Sequence, residues 1–213
     1  MMLNNLHMDG NMVVIGITGG IGAGKSKVIE LLRDRYDFSV YEADKVAADL
    51  QQPGQDCYKE MVLEFGERIL NEDKTINRDE LRKIVMSDSS KLEKLNSIVH
   101  PSVKRFFLSV IEENLYPVIF IESAILLQDG YDKICDEIWY VYADRVTRRD
   151  RIMQDRGYTC EKANSFMDNQ PDESFYREYA DRVIDNSEYK DLHHLILSVD
   201  EAVKGLREVR PDI

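Results

Sequence analysis

The residues with the clearest chemical potential are Gly19-Gly20-Ile21-Gly22-Ala23-Gly24-Lys25-Ser26, which satisfy the spacing G-x-x-x-x-G-K-[ST]. Glycines at these positions let successive backbone N–H groups turn inward around an anion, and a helix that follows adds its positive end. Lys25 supplies a mobile charge, and Ser26 places a hydroxyl where it can hold Mg²⁺. The chemistry implied is the cradling of the phosphates of a nucleoside triphosphate such as ATP, by the loop from Gly19 to Ser26 and the adjoining Lys27.

Transfer of a phosphoryl group to a hydroxyl also needs a carboxylate that accepts the hydroxyl proton, and cations that neutralise charge on the moving group. In an open parallel sheet, ligands sit at the carboxyl ends of strands, which singles out two acidic residues. Asp44 follows Tyr41-Glu42-Ala43 and is the candidate base; its other reading is a helix-start carboxylate favoured by the helix dipole. Glu122 follows the apolar run Val118 to Ile121, as either an organiser of Mg²⁺ or a simple strand-end charge.

Arg145, Arg148, Arg149, Arg151 and Arg156 cluster in an otherwise acidic chain. Arg148 and Arg151 are three apart and can share one helix face, from which guanidinium forks could close on the triphosphate. The alternative is a solvated face on which these arginines pair with Asp144, Asp150 and Asp155. His100-Pro101 is expected to open a helix, with the histidine as cap, core residue or catalyst.

These residues need elements to hold them. Met12 to Thr18 is an apolar, β-branched run suited to a strand buried on both faces, and Val28, Ile29, Leu31 and Leu32 continue at helical spacing. Further strands are expected at Phe38 to Glu42, Val118 to Ile121, Glu137 to Tyr142 and Arg182 to Ile184. Helical periodicity covers Ala43 to Leu50, then Asp56 to Asn114 with breaks near Glu72-Asp73-Lys74 and Asp88-Ser89-Ser90. It returns over Arg145 to Gln170 with a break at Gly157, and over a closing helix from Lys190 to Glu208. Strands interleaved with helices imply an α/β protein with a parallel sheet covered on both faces, and the long helical block stands outside that sheet as an insertion.

With 213 residues, 43% of them hydrophobic, the chain can form a full core with inserted subdomains. A net charge of −12 without a basic tract argues against a general nucleic-acid partner. Cys57, Cys135 and Cys160 are odd in number and far apart, which indicates neither a disulfide framework nor a zinc site and fits a reducing cytoplasm. No apolar run approaches a membrane span, and residues 1–11 read as a disordered leader.

From Val13 to about Gly205 the order of motifs resembles the dephospho-coenzyme A kinase family. Thr18 to Ser26 is similar to that family's phosphate loop, Glu42-Ala43-Asp44 to its Asp-Ala-Asp, and Gln52-Pro53-Gly54 to its Pro-Gly break. Phe65-Gly66, Asn77-Arg78 with Leu81-Arg82, and His100-Pro101 resemble the markers of its helical insertion; Gln170, Ala180-Asp181, Val183-Ile184 and Asn186 resemble its closing signature. The resemblance implies transfer of the γ-phosphoryl of ATP to the ribose 3′-hydroxyl of dephospho-coenzyme A, on the three-layer fold of P-loop nucleoside triphosphate hydrolases with a five-stranded parallel sheet.

It also implies a division into a nucleotide-binding core (12–54, 116–142 and 181–213), a helical acceptor domain (55–115) and a lid (143–180). By the same resemblance Lys25, Asp44 and Arg151 carry catalysis, and Arg148 and Asn186 join the loop around ATP, Asn186 near the adenine. Arg78, Arg82 and His100 hold the acceptor, while Ser26 and Glu122 serve Mg²⁺. Departures from the family pattern are Lys27 in place of a second hydroxyl residue, Gln128 in place of a glutamate, Arg156 one place late, and Phe166 where an arginine is common. Two other readings of the residues are a different small-molecule P-loop kinase and a nucleotide-gated binding protein.

Overall fold

The computed structural model describes residues 12–187 and 192–209; the expected leader at 1–11 and the expected start of the closing helix at Lys190 lie outside them. The chain divides into two compact units, Glu42–Glu113 and the remainder on either side of it.

The larger unit is built on a parallel five-stranded sheet of order β2-β3-β1-β4-β5. Its strands are β1 (Val13–Thr18), β2 (Ser39–Glu42), β3 (Val118–Glu122), β4 (Glu137–Tyr142) and β5 (Arg182–Asp185). Every residue of β1 is buried, as its uninterrupted apolar sequence requires of a central strand covered on both faces. Val13, Ile15 and Ile17 pack with Val28 and Leu32 of helix α1 (Lys25–Tyr36) and with Leu195 and Val199 of the last described helix, Leu192–Val209. Tyr140 of β4 instead stacks on Tyr176 of the short helix Glu173–Tyr179, with ring centroids 5.0 Å apart. Parallel register sets Ile17 beside Glu122 and Thr18 beside Tyr140, so the carboxyl ends of β1, β3 and β4 stand together where β1 gives way to the glycine loop.

The Glu42–Glu113 unit contains α2 (Ala43–Leu50), α3 (Asp56–Phe65), α4 (Arg78–Met86) and α5 (Ser89–Glu113). Cys57, Met61, Phe65, Ile69, Leu81 and Ile98 form its own core. Asn77 caps α4, its Oδ1 accepting from the Glu80 N–H at 3.0 Å. His100-Pro101 does not open a helix: both residues lie in the interior of the 25-residue α5. An interior proline costs a helix about 3 kcal/mol. Burial of Ile98 before it, and of Val103 and Phe107 after it, offsets this at about 2 kcal/mol for each side chain, so the helix runs on. Among the described residues no helix is long and apolar enough to cross a membrane.

Candidate active site

The loop between β1 and α1 is sorted by polarity. Its carbonyls have donors: Lys25 Nζ reaches Gly19 O at 2.9 Å, Arg148 Nε reaches Ile21 O at 2.8 Å, and Arg151 Nη1 approaches Gly22 O and Ala23 O at 3.3 and 3.2 Å. Asn186 Nδ2 adds a bond to Ala23 O at 2.9 Å. Among the described residues no protein acceptor takes the N–H groups of Gly22, Gly24 or Ser26. A concave run of amides at a helix start is an anion site by construction.

Two glycines are needed here for different reasons than a turn alone would give. Gly24 precedes α1 in the left-handed region, φ 91°, and a Cβ on it would collide with the Asn186 amide. On Gly22, at φ 76°, a Cβ would run into the backbone carbonyl of Arg148, which cannot swing aside as a side-chain tip can; the Arg148 guanidinium itself lies against Gly20. The loop is therefore pressed close onto its clamps.

Helix α6 (Arg145–Arg156) begins where Asp144 accepts from the N–H groups of Val146 and Thr147 at 2.9 and 3.0 Å, a cap that fixes which way its arginines project. The arginine cluster divides between the glycine loop and the surface. Arg148 and Arg151 face the loop, whereas Arg145 pairs with Asp168 at 2.6 Å and Arg149 with Asp150 at 2.7 Å on the surface. Burial pulls the Arg148 guanidinium below the usual arginine range, with Tyr140 and Tyr176 partly opposing the shift. It keeps its charge at neutral pH. Among the described residues no carboxylate pairs with it, which makes it a half-buried cation beside an anion cradle. The same burial pushes the Tyr140 hydroxyl up to about 12.

Glu122 Oε1 lies 3.6 Å from Lys25 Nζ, so the loop lysine and the β3 carboxylate are brought together as expected of neighbours at the sheet's carboxyl edge. Ser26 is exposed in the first turn of α1. Lys27 is turned to its own helix surface, where Nζ meets Glu30 at 2.7 Å, while its N–H bonds to Gly24 O at 3.0 Å. Asn186 is buried and also receives Arg151 Nη2 on its backbone carbonyl at 2.8 Å. At the position of the expected arginine, Phe166 stacks on Tyr158 at 5.4 Å, and Lys162 Nζ stands 3.9 Å from the Tyr158 ring centre.

In the helical unit, Asp44 is exposed in the first turn of α2, two residues beyond β2. Arg78 and Arg82 are exposed one turn apart on α4, and His100 is half-buried within α5.

The family model for dephospho-CoA kinase matches residues 13–191. The chain belongs to that family. A dephospho-CoA kinase of Fusobacterium nucleatum subsp. nucleatum is 36% identical over 177 residues, covering 83% of this chain and 91% of the relative. The crystal structure of a Thermus thermophilus protein superposes with TM-score 0.78 at 27% identity, over 92% of this chain and 98% of that one. The dephospho-CoA kinase of Campylobacter jejuni has the same fold, with TM-score 0.69 at 21% identity over 92% and 98% of the two chains. Family membership makes the protein a kinase with a nucleotide-binding P-loop, and with it comes ATP as substrate.

Sequence reasoning assigned Arg148 and Asn186 to the nucleotide and Arg151 to catalysis, and gave Gln170 no role beyond a family marker. In the fold the first three grip the loop's carbonyls, and Gln170 Oε1 accepts from the Ile21 N–H at 2.7 Å. The one available signal for such roles was the glycine spacing itself, since glycines packed against bulky polar groups leave no room for a side chain.

Proposed function

We propose that this chain transfers the γ-phosphoryl group of ATP to the ribose 3′-hydroxyl of dephospho-coenzyme A, releasing ADP and coenzyme A. The observation that carries the reading is the sorted loop: carbonyls bound from behind by Lys25, Arg148, Arg151 and Asn186, with the amides of Gly22, Gly24 and Ser26 left to an anion. Family membership narrows the kinase to this acceptor.

In this reading the loop amides bind the β- and γ-phosphates, and Lys25 leaves Gly19 O and Glu122 to follow the transferring group. Asp44 accepts the proton of the acceptor hydroxyl, so that the oxygen attacks as its O–H bond breaks. Arg78, Arg82 and His100 receive the acceptor's phosphates and adenosine, and the 143–180 segment acts as a lid. Arg151 acts through the loop it holds.

Mg²⁺ suits the residues at the loop. It binds through one or two protein oxygens together with substrate phosphates and water, and the Ser26 hydroxyl and Glu122 carboxylate are such oxygens. Among the described residues no cluster of three or more His, Cys, Asp or Glu could hold a metal alone, which matches an ion that arrives with the nucleotide. When bound it neutralises phosphate charge.

The test is ADP release from ATP with a panel of acceptors. Dephospho-coenzyme A should give the highest kcat/KM by at least about a hundredfold, since recognition of buried polar groups discriminates at that level or above. A nucleoside monophosphate or shikimate turning over as well or better would overturn the assignment.

A further inference from the structure

Ile21 is held on three sides by one short stretch of chain. Its side chain packs with Ile152 of α6 and with Ala163 and Met167 of helix α7 (Cys160–Asp168). Its carbonyl accepts from Arg148 Nε at 2.8 Å, and its N–H donates to Gln170 Oε1 at 2.7 Å. The same Gln170 oxygen accepts from Arg148 Nη2 at 3.0 Å, which closes a ring of three hydrogen bonds through Ile21, Arg148 and Gln170. Gln170 is itself seated by its N–H on Met167 O at 3.2 Å, just beyond α7.

We propose that Gln170 is a positioning residue for the phosphate loop, its side-chain carbonyl being the shared acceptor that fixes both the Ile21 amide and the Arg148 guanidinium. An amide oxygen has two lone pairs and can accept both donors at once. Drawing the Ile21 N–H away from the cradle turns the adjoining amides, from Gly22 on, toward the anion. A neutral acceptor also holds Arg148 without cancelling its charge, so the cation beside Gly20 still acts on the triphosphate. One side chain thus sets two groups that lie 149 and 22 residues away from it in sequence. The proposal rests on reading the loop as the triphosphate site.

The experiment compares Gln170→Met, which keeps length and apolar bulk but removes the acceptor, with Gln170→Glu, which keeps an oxygen for both donors. Steady-state kinetics with ATP and dephospho-coenzyme A varied separately should show KM for ATP raised about tenfold in Gln170→Met, the effect of one lost hydrogen bond to a charged group. KM for the acceptor should stay within about twofold, because uniform binding is lost on the ATP side only. Gln170→Glu accepts the same two bonds but cancels the Arg148 charge, so it should keep Tm within about 2 °C of the parent and still raise KM for ATP about tenfold. An unchanged KM for ATP in Gln170→Met, an equal rise in both KM values, or a parent-like KM for ATP in Gln170→Glu would overturn the role proposed for Gln170 while leaving the kinase reading intact. A parent protein without saturable dependence on ATP would overturn that reading and this proposal with it.

Discussion

In the phosphate loop, the carbonyls of Gly19, Ile21, Gly22 and Ala23 all meet side-chain donors at 2.8 to 3.3 Å. In the Glu42–Glu113 unit, the side chains of Asp44, Arg78 and Arg82 are exposed, and among the described residues no hydrogen bond holds them. The loop is organised before its ligand arrives, so little ordering cost falls on ATP binding. On the proposed function, the arginines of α4 would lose rotamer freedom only on engaging the acceptor, at up to about 2 kcal/mol each. The proposed function thus gives one substrate a finished site, while the other would complete its own.

The largest effect should separate the two regions by kinetics. Lys25→Ala should lower kcat/KM for ATP by about a thousandfold and raise KM for ATP, because a preorganised charge on the transferring group is lost. Asp44→Asn should lower kcat by at least about a hundredfold with KM for ATP within about twofold, as for loss of a general base. Initial rates of ADP release check both, and near-normal turnover of Asp44→Asn would remove that residue from its role.

A smaller effect compares two glycines of positive φ, Gly24 at 91° in the loop and Gly66 at 78° after α3. A positive φ costs a non-glycine residue about 1–3 kcal/mol, so alanine at either site should lower Tm by about 3–9 °C. Only at Gly24 would the new Cβ displace Asn186, whereas nothing lies within 4 Å at Gly66. Gly24→Ala should therefore also abolish measurable ATP affinity in a nucleotide titration, and Gly66→Ala should retain it. If both variants bound ATP alike, the closeness of the loop to its clamps would not matter.

The smallest effect is expected at Arg145, on the same helix as Arg148 but paired at the surface with Asp168. Arg145→Ala should shift Tm by less than about 2 °C and leave KM for ATP unchanged, because exposed ion pairs contribute little.

Much of the fold was legible because its signals are local. β1, β3 and β4 are short apolar runs, α1 carries its apolar residues at helical spacing, and Gly157 ends α6 in the left-handed conformation. The helix Glu173–Tyr179 was not read separately, since its charged sequence is anchored by one residue, Tyr176, whose partner Tyr140 is distant in sequence. α5 was misread at Pro101, where a local rule about proline yields to apolar burial on both sides.

The amino-acid sequence by itself determined the phosphate loop, the strand and helix flanking it, and the acidic residues at the carboxyl ends of β2 and β3, because each follows from steric and hydrogen-bonding rules acting within a few residues. Only the tertiary structure decided that Arg148, Arg151, Asn186 and Gln170 serve the loop's backbone. Their partners lie 127, 128, 163 and 149 residues away, and a backbone carbonyl or amide leaves no mark on residue type.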